Sequence, residues 1–401
     1  MKMTIIIPTR NRSETLRYAL LTCTSQEYAD LSIIVSDNCS DDDTERVVQS
    51  VSDARVRYLR TPRRLSMRGN FEFALSHVTE GVVGFIGDDD ALLPGAIERA
   101  ATFLRGSELK AVTSVLAFYR WPSAPESIRN SGSLQFLSTG DVIRDSMACI
   151  DTALKGTGAY YVHGLPSLYY GFADVSLTKV RRGGDFFHSM CPDAYAAFAI
   201  ALQIPRFGYL AEPLFVVGAS GRSTGVSTYQ KDAGQEAAVS FAAENDIPFH
   251  RDYVLCKSIA VVTHEAYAQA LESYPETSAA RASVMDLLRY MARETNKDNK
   301  GEILAAAIEI AGRTGIDELE VRKIFGPMNI FLSKLDAFAK RRQFRLTRNK
   351  REAGAGRVLS RTYPDLTHHG VNNSLQAAEF FAKELKHVRG KYPLERRDRP
   401  S

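Results

Sequence analysis

The stretch "VVGFIGDDDALLPGAIERA", residues 82–100, joins an apolar run to three consecutive aspartates and then to an amphipathic run. Residues 81–86 have the β-branched and aromatic composition of a buried strand, and apolar positions recur at helical spacing after the aspartates. The carboxylates of Asp88, Asp89 and Asp90 repel one another unless a positive charge lies among them. The stretch therefore predicts a strand and a helix joined by a turn that attracts a cation.

The same alternation of strand and helix runs through the first 120 residues. Apolar, β-branched runs predict further strands at residues 3–8, 31–37 and 56–59, each followed by apolar positions at helical spacing. Such an order produces a mostly parallel sheet, whose ligands bind at the carboxyl ends of the strands. Those ends carry the polar runs "PTRNR", "SDNCSDDD" and "GDDD". We predict an α/β fold with a Rossmann-like nucleotide-binding sheet and helices on both faces.

The later part of the chain has a different composition. From residue 233 onward it is rich in Ala, Glu and Lys, and segments such as "GEILAAAIEIAGRTG" predict helices. We therefore predict an α/β domain over residues 1–232 and an all-helical C-terminal domain over residues 233–401.

The composition is that of a folded protein without a strong charge bias. The chain of 401 residues is 44% hydrophobic and has a formal net charge of +4, too weak to indicate nucleic-acid binding. No uncharged apolar run approaches the roughly 18 residues of a membrane span. The cysteines are odd in number and lack a C-x-x-C pair, so we expect reduced, mostly buried thiols in a cytoplasmic protein. They are Cys23, Cys39, Cys149, Cys191 and Cys256.

Four ordered motifs within residues 3–230 resemble the family 2 glycosyltransferases of the GT-A fold. They are "IIIPTRNR" (5–12), "VSDNCSDDDT" (35–44), "GNFEFALSHVTEGVVGFIGDDDALLPGAI" (69–97) and "CPDAYAAFAIAL" (191–202). The resemblance implies a GT-A catalytic domain that moves a sugar from a nucleotide diphosphate carrier to an acceptor hydroxyl. The sequence departs from the family pattern at Cys39 and Asp43, where glycines are common, and at Gly87, the first position of the D-x-D motif.

The acidic turn is the predicted metal site. A nucleotide diphosphate is a polyanion, and a hard cation held by carboxylate oxygens stabilises its departure from the sugar. We assign Asp89 and Asp90 as ligands of Mg²⁺ or Mn²⁺ and Asp88 as a ribose contact. The alternative is that the aspartates only cap the helix that follows.

The predicted nucleotide pocket lies at the ends of the first two strands. Asp37 could accept the imide N–H of uracil or thymine, although guanine offers a similar donor; a UDP-type donor is favoured. The backbone of Pro8, Thr9 and Arg10 would line the base pocket. An Asx-rich turn that caps the next helix is the alternative for the run after Asp37. Further candidates for donor binding are Arg12, Asn38, Arg68, Asn70, Arg222 and Ser223.

The resemblance assigns the catalytic base to Asp193. An acceptor hydroxyl is a weak nucleophile at neutral pH and benefits from a positioned base. With Asp193 in that role the reaction is a single inverting displacement without a covalent intermediate. A contact with the dipole of its own helix is the alternative role for this residue.

Other enzyme classes fit less well. The run "GRSTG" (221–225) matches a nucleophile elbow around Ser223, but the polar sequence after it does not predict the required helix. A sugar-phosphate nucleotidyltransferase remains an alternative, although "PTRNRSET" lacks the glycines of its phosphate loop. A non-catalytic nucleotide-sugar or glycan-binding protein is a further alternative.

Two features bear on the acceptor. His163 lies in an aromatic stretch that could face it, although a packing role is more common for such a histidine. Residues 334–361 contain ten Lys or Arg and two acidic residues, which fits a peripheral contact with the inner membrane face or a solvated helix face. RNA binding fits the charge but lacks a recognisable module. The family resemblance favours a saccharide or lipid-linked acceptor in bacterial surface polysaccharide or glycolipid synthesis.

Overall fold

The computed structural model describes residues 1–157, 164–179, 184–223, 243–332, 334–335 and 358–391. Its strands are β1 (Met3–Thr9), β2 (Leu31–Asp37), β3 (Val56–Arg60), β4 (Val82–Phe85), β5 (Ala91–Leu92), β6 (Ala111–Ser114), β7 (Ala117–Arg120), β8 (Gly132–Leu137), β9 (Val142–Asp145), β10 (Gly171–Asp174), β11 (Arg206–Leu210), β12 (Phe215–Ala219) and β13 (Val358–Tyr363). Its α-helices are α1 (Ser13–Thr24), α2 (Thr44–Gln49), α3 (Met67–Leu75), α4 (Ala96–Ser107), α5 (Ser146–Leu154), α6 (Pro192–Gln203), α7 (Ile259–Ser273), α8 (Val284–Glu294), α9 (Lys300–Arg313), α10 (Glu318–Ile324) and α11 (Ser374–Lys391).

An eight-stranded sheet forms the centre of the molecule, in the order β3-β2-β1-β4-β10-β6-β11-β9. The four predicted strands are confirmed, and β1, β2, β3 and β4 run parallel. The second half of this sheet is mixed, because β10 runs antiparallel to both of its neighbours. In the β1–β2 register, Pro8 pairs with Ser36 and Thr9 with Asp37, so the predicted polar ends lie side by side.

Both faces of this sheet are buried, as expected for strands of continuous apolar sequence. Ile5 and Ile7 point to one face and pack with α1 and α4, whereas Ile6 points to the other face and packs with α3 and α6. This layering confirms the predicted α/β architecture. It holds the carboxyl ends of the parallel strands at one edge.

A smaller, five-stranded sheet, β13-β8-β7-β12-β5, adjoins the acidic turn. Its strand β5 directly follows the turn and pairs with β12. Strand β13 pairs antiparallel with β8, and α11 packs against β12 and α1. The C-terminal region is therefore mainly helical rather than all-helical, and its last two elements return to the N-terminal part. The predicted boundary at residues 232 and 233 lies outside the described residues.

Helices α7 to α10 surround a separate apolar core, and α7 also continues the main core. Tyr267 of α7 packs against Phe198 of α6, with ring centroids 5.3 Å apart. No disulfide involves any of the five cysteines, all of which lie among the described residues; Cys23 is buried, as predicted, whereas the other four are half-buried. Within the described ranges, no helix is long and apolar enough to cross a bilayer.

Candidate active site

Asp88 is held at the end of β4 by two residues from the end of β1. Its Oδ2 accepts a hydrogen bond from the Thr9 hydroxyl at 2.8 Å, and its Oδ1 pairs with the Arg12 guanidinium at 3.0 Å. Burial raises the pKa of Asp88, the charge of Arg12 opposes the rise, and the charge of Asp89 adds to it. Asp88 therefore fixes Arg12 at the mouth of the predicted donor pocket.

Asp89 is clamped from the far side of the turn by the residues after β12. Its Oδ2 accepts hydrogen bonds from the Ser220 N–H at 3.1 Å, the Ser220 hydroxyl at 2.8 Å and the Ser223 hydroxyl. The Trp121 indole donates to the Asp89 carbonyl at 2.8 Å. None of the described residues donates to Asp89 Oδ1, so this oxygen can bind a cation. Since Ser223 donates to a carboxylate, it is not arranged as a hydrolase nucleophile.

Asp90 points into the protein and has no exposed surface. Its Oδ1 accepts from the Gly218 N–H at 2.7 Å, and its Oδ2 accepts from the Gly87 N–H at 2.6 Å and the Tyr169 hydroxyl at 3.3 Å. Burial, followed by the charge of Asp89, raises the pKa of Asp90 to about 8. Protein donors occupy three acceptor positions of the Asp90 carboxylate, one at Oδ1 and two at Oδ2, so metal ligation by Asp90 stays a prediction.

The departure at Gly87 has a steric reason. A Cβ at this position would lie 2.5 Å from the Tyr169 hydroxyl and 2.7 Å from Asp90 Oδ2. A larger first residue of the motif would therefore disrupt the contacts that close the turn. The capping alternative is also wrong, because the N-cap of α4 is Gly95 and no side chain caps this helix.

The turn fits a divalent ion that is shared with a ligand. Mg²⁺ prefers oxygen ligands and is often bound by one or two carboxylates together with substrate phosphates. Asp89 Oδ1 meets this requirement, and the Asp88 carboxylate lies next to it in the same turn. The described residues contain no group of three or more His, Cys, Asp or Glu side chains that could hold a metal ion.

Asp37 ends β2, as predicted, but its carboxylate is fully buried. It accepts hydrogen bonds from the Ser40 N–H at 2.8 Å, the Tyr58 hydroxyl at 2.5 Å and the Arg60 guanidinium at 2.8 Å. A carboxylate has about four acceptor positions, so these three donors leave one. Arg60 is the exposed member of this group, with 42% of its side-chain surface accessible.

Asn38 and Asn70, two of the residues predicted to contact the donor, form hydrogen bonds near the end of β2. Asn38 accepts from the Leu65 N–H and donates to the Leu65 carbonyl, both at 2.8 Å. The Asn70 side chain accepts from the Ser36 hydroxyl at 2.8 Å. Both asparagines are buried. They fix the loop before α3 and do not present a free amide to a ligand.

Arg68 is also committed to protein partners. Its guanidinium pairs with Asp246 at 2.6 Å and with Asp185 at 2.7 Å, and it donates to the Phe187 carbonyl at 3.3 Å. These contacts use four of its five N–H donors, since its Nε also donates to Asp246. The geometry corrects the prediction of a phosphate contact and makes Arg68 a link between three segments.

The remaining predicted arginines are Arg10, Arg12 and Arg222, which form contacts around the end of β1. Arg10 pairs with Glu244 at 2.7 Å. Arg222 donates to the Asn11 carbonyl at 2.9 Å, and Arg12 donates to the Arg222 carbonyl. These contacts close the turn after β12 onto the end of β1, next to the acidic turn.

Asp193 lies in the first turn of α6 and is half-buried. Burial raises the pKa of its carboxyl group. Burial also raises the pKa of Tyr169, with additional contributions from the charges of Asp90, Asp89 and Asp193. The Tyr169 hydroxyl contacts the acidic turn at Asp90 Oδ2, at 3.3 Å. Its ring stacks on Phe71 at a centroid distance of 6.2 Å, which fixes its position.

Four residues that hold the acidic turn were missed by the sequence analysis, because they lie in or next to β7, β10 and β12, far from the turn in sequence. The aromatic run before β10 and the Gly/Ser run after β12 were the available signals. These residues are Trp121, Tyr169, Gly218 and Ser220. His163 and residues 336–357 of the predicted membrane segment lie outside the described residues.

The parallel sheet with an acidic turn at its carboxyl edge defines an α/β protein of the nucleotide-binding type. The model of the family described as "Glycosyl transferase family 2" matches residues 4–140. The match over residues 4–140 confirms the resemblance seen in the sequence.

Two curated proteins match over part of their length. A GalNAc(5)-diNAcBac-PP-undecaprenol beta-1,3-glucosyltransferase of Campylobacter jejuni is 39% identical over 99 residues, which is 24% of this chain and 32% of that protein. An uncharacterised protein of Mycobacterium tuberculosis is 30% identical over 96 residues, which is 24% of this chain and 30% of that protein. The chain thus spans about a third of these relatives.

The chain also aligns with solved structures. The crystal structure of S. aureus TarS 1–349 in complex with UDP-GlcNAc aligns with a TM-score of 0.48 and 14% identity. The alignment covers 86% of this chain and 92% of that chain.

Proposed function

We propose that the protein is a metal-dependent, inverting glycosyltransferase. It moves a sugar from a nucleotide diphosphate donor, favoured to be of the UDP type, to the hydroxyl of a saccharide or lipid-linked saccharide acceptor. The observation that carries the proposal is the Asp89 carboxylate at the carboxyl edge of the parallel strands. Its Oδ2 accepts hydrogen bonds from Ser220 and Ser223, and its Oδ1 has no donor among the described residues.

In this proposal, Mg²⁺ or Mn²⁺ would be held by Asp89, with Asp88 beside it. The ion supplies positive charge to the leaving diphosphate. The Ser220 and Ser223 donors orient the Asp89 carboxylate so that its Oδ1 faces the ligand. Arg12 stays charged next to Asp88 and adds positive charge at the donor pocket.

Asp193 acts as the general base. Its carboxylate takes the proton of the acceptor hydroxyl while the oxygen of that hydroxyl attacks the anomeric carbon. The bond to the diphosphate breaks on the opposite face, so one displacement inverts the anomeric configuration. The raised pKa of Asp193 makes it a stronger base than an exposed aspartate and supports this role.

Base recognition is proposed at the ends of β1 and β2. The backbone of Pro8 and Thr9 lies beside Ser36 and Asp37 in the sheet, and Arg10 directly follows β1. The remaining acceptor position of Asp37 suits an imide N–H, and Arg60 adds a partly exposed donor for a base carbonyl. Together they offer the donor and acceptor pattern that uracil requires.

The acceptor class is supported by the Campylobacter relative, whose name describes transfer to an undecaprenol-linked saccharide. We propose a role in bacterial surface polysaccharide or glycolipid synthesis on the cytoplasmic side of the membrane. The match covers 24% of this chain, so the name of the relative supports the acceptor class and not a particular acceptor sugar or linkage.

A donor screen tests the proposed function. The protein is incubated with UDP-, dTDP- and GDP-sugars, Mn²⁺ and lipid-linked or free saccharide acceptors, and the released nucleotide diphosphate is measured. We expect turnover with a UDP-sugar that Asp193→Asn abolishes. Tight binding without turnover of any donor would favour a non-catalytic binding protein. Pyrophosphate release from UTP and a sugar phosphate would favour a nucleotidyltransferase.

A further inference from the structure

Helix α7, in the C-terminal helical region, carries a buried carboxylate that the proposed reaction does not use. Glu265 lies in the middle of this helix and is almost fully buried. Its Oε2 accepts a hydrogen bond from the Ser189 hydroxyl at 2.6 Å. Its Oε1 accepts from the Gln269 side chain at 2.9 Å and from the His250 backbone N–H at 3.2 Å. Hydrogen bonds from three neutral groups therefore hold this carboxylate inside the protein.

A buried carboxylate is a costly way to fill space. Removing a charged group from water is unfavourable, and an apolar side chain of similar volume often stabilises a protein more. Burial accordingly raises the pKa of Glu265, although its three hydrogen bonds oppose the rise. Packing alone does not explain a glutamate here, so the group that Glu265 holds in place becomes the relevant question.

The Ser189 hydroxyl links Glu265 to the start of α6. While this hydroxyl donates to Glu265, its oxygen accepts from the Cys191 N–H at 3.3 Å. Cys191 is the N-cap of α6, and its carbonyl accepts from the Tyr195 N–H at 3.0 Å. Asp193 lies in the first turn of the same helix. Glu265 thus orients the hydroxyl that holds the backbone leading into Asp193.

Helix α7 is also held against α6 by apolar contacts. Tyr267 packs on Phe198, with ring centroids 5.3 Å apart. Ala266 and Ala270 belong to the same apolar core as Phe198. Because these contacts do not involve the carboxylate, we expect α7 to stay docked when Glu265 is replaced by an apolar residue of similar size.

We propose that Glu265 is a positioning residue for the general base. The inference rests on the proposed role of Asp193. The Glu265 carboxylate fixes the Ser189 hydroxyl, the hydroxyl fixes the backbone before α6, and the first turn of α6 presents Asp193 to the acceptor. A displacement of a catalytic group by about 1 Å can lower a rate by about 100-fold. The helical C-terminal region thereby contributes to the catalytic geometry without touching the reacting atoms.

Steady-state release of nucleotide diphosphate by the full chain tests this proposal. Glu265→Leu retains most of the side-chain volume but removes the acceptor of the Ser189 hydroxyl. We expect kcat to fall about tenfold with donor KM unchanged, because the general base is misplaced while the donor pocket is intact. Ser189→Ala should have a similar effect. Glu265→Gln restores an acceptor oxygen and should recover most of the lost kcat.

The matched control is Ser258→Ala. Ser258 also donates to a glutamate, Glu294, at 2.6 Å, but this pair joins the N-terminus of α7 to the end of α8. Ser258→Ala should lower the unfolding temperature and leave kcat unchanged. The acid limb of the kcat/KM profile should persist in Ser189→Ala, since Asp193 is still present, whereas Asp193→Asn should remove it.

The outcomes separate this inference from the proposed function. Parental kcat in Glu265→Leu and Ser189→Ala, with Asp193→Asn inactive, would overturn the positioning role and retain the general base. An equal loss of kcat in Ser258→Ala would also overturn it, because general destabilisation would then explain the effect. If Glu265→Leu does not fold, Ser189→Ala decides alone. Full turnover by Asp193→Asn would overturn the proposed general base, and this inference with it.

Discussion

Two acidic turns follow β2 and β4, the parallel strands on either side of β1, and they differ in where their hydrogen-bond donors originate. In the second-strand turn, residues 37–44, Asp42 accepts from the Thr44 N–H at 3.1 Å and the Ser13 N–H at 2.9 Å. In the fourth-strand turn, residues 87–90, the Asp89 donors are 131 and 134 residues away in sequence. The donors to Asp42 in the first turn are only 2 and 29 residues away in sequence. The second is assembled from distant segments, as expected where a ligand site must be fixed in place.

The largest expected difference between the two turns is in catalysis. Asp89→Asn should lower kcat/KM for the donor by about 10³-fold, because the charge that holds the metal is lost. Asp43→Asn should leave kcat/KM unchanged, because Asp43 is exposed and pairs only with Arg46 at 3.3 Å among the described residues. Nucleotide release measured for both variants checks the prediction, and equal rates would remove the functional distinction between the turns.

A second prediction concerns Asp193, the proposed base. Asp193→Asn should lower kcat by about 10²- to 10³-fold with little change in donor KM. The raised pKa of Asp193 places the acid limb of the kcat/KM profile above the ordinary aspartate pKa, so activity falls as the pH drops through that higher value. A pH profile without an acid limb, or one that Asp193→Asn retains, would reject the assignment.

The donors that orient Asp89 should have a smaller effect. Ser220→Ala removes one of the three hydrogen bonds to Asp89 Oδ2 and should weaken Mn²⁺ affinity of the nucleotide complex by about tenfold. The readout is Mn²⁺ titration by electron paramagnetic resonance, which does not depend on turnover. Ser50→Ala, which removes a hydroxyl that donates to the Val47 carbonyl in α2, is the control. Equal affinities in both variants would make Ser220 merely structural.

The smallest predicted effect is on stability, and it belongs to the second-strand turn. Partial burial by itself would raise the pKa of Asp42. Hydrogen bonds from Thr44 and Ser13 outweigh this effect, so the pKa of Asp42 is lowered. A lowered native pKa stabilises the fold at neutral pH and loses this contribution as the pH falls through that value. Asp42→Ala should therefore destabilise the protein by less than about 1 kcal/mol at pH 7, because Asp42 is exposed and solvent screens its charge, and by less still near pH 3. Thermal unfolding at both pH values gives the comparison, and an equal loss at the two would contradict it.

The same contrast explains what the sequence could reveal. Strand and helix positions follow from apolar periodicity, and parallel pairing brought Thr9, Asp37 and Asp88 to one edge as predicted. The antiparallel β10 and the return of β13 to β8 depend on long-range pairing that periodicity does not encode. The Gly218 and Tyr169 donors to Asp90 also depend on the fold, because both residues are distant from the acidic turn in sequence.

The central claim is that Asp89 holds a divalent ion together with the diphosphate of the donor. Isothermal titration of UDP, with Mn²⁺ or with EDTA, tests it most directly in the parent and in Asp89→Asn. We expect Mn²⁺ to tighten UDP binding by at least about tenfold in the parent and to have no effect in Asp89→Asn. UDP affinity that is the same with Mn²⁺ and with EDTA in the parent would contradict the claim.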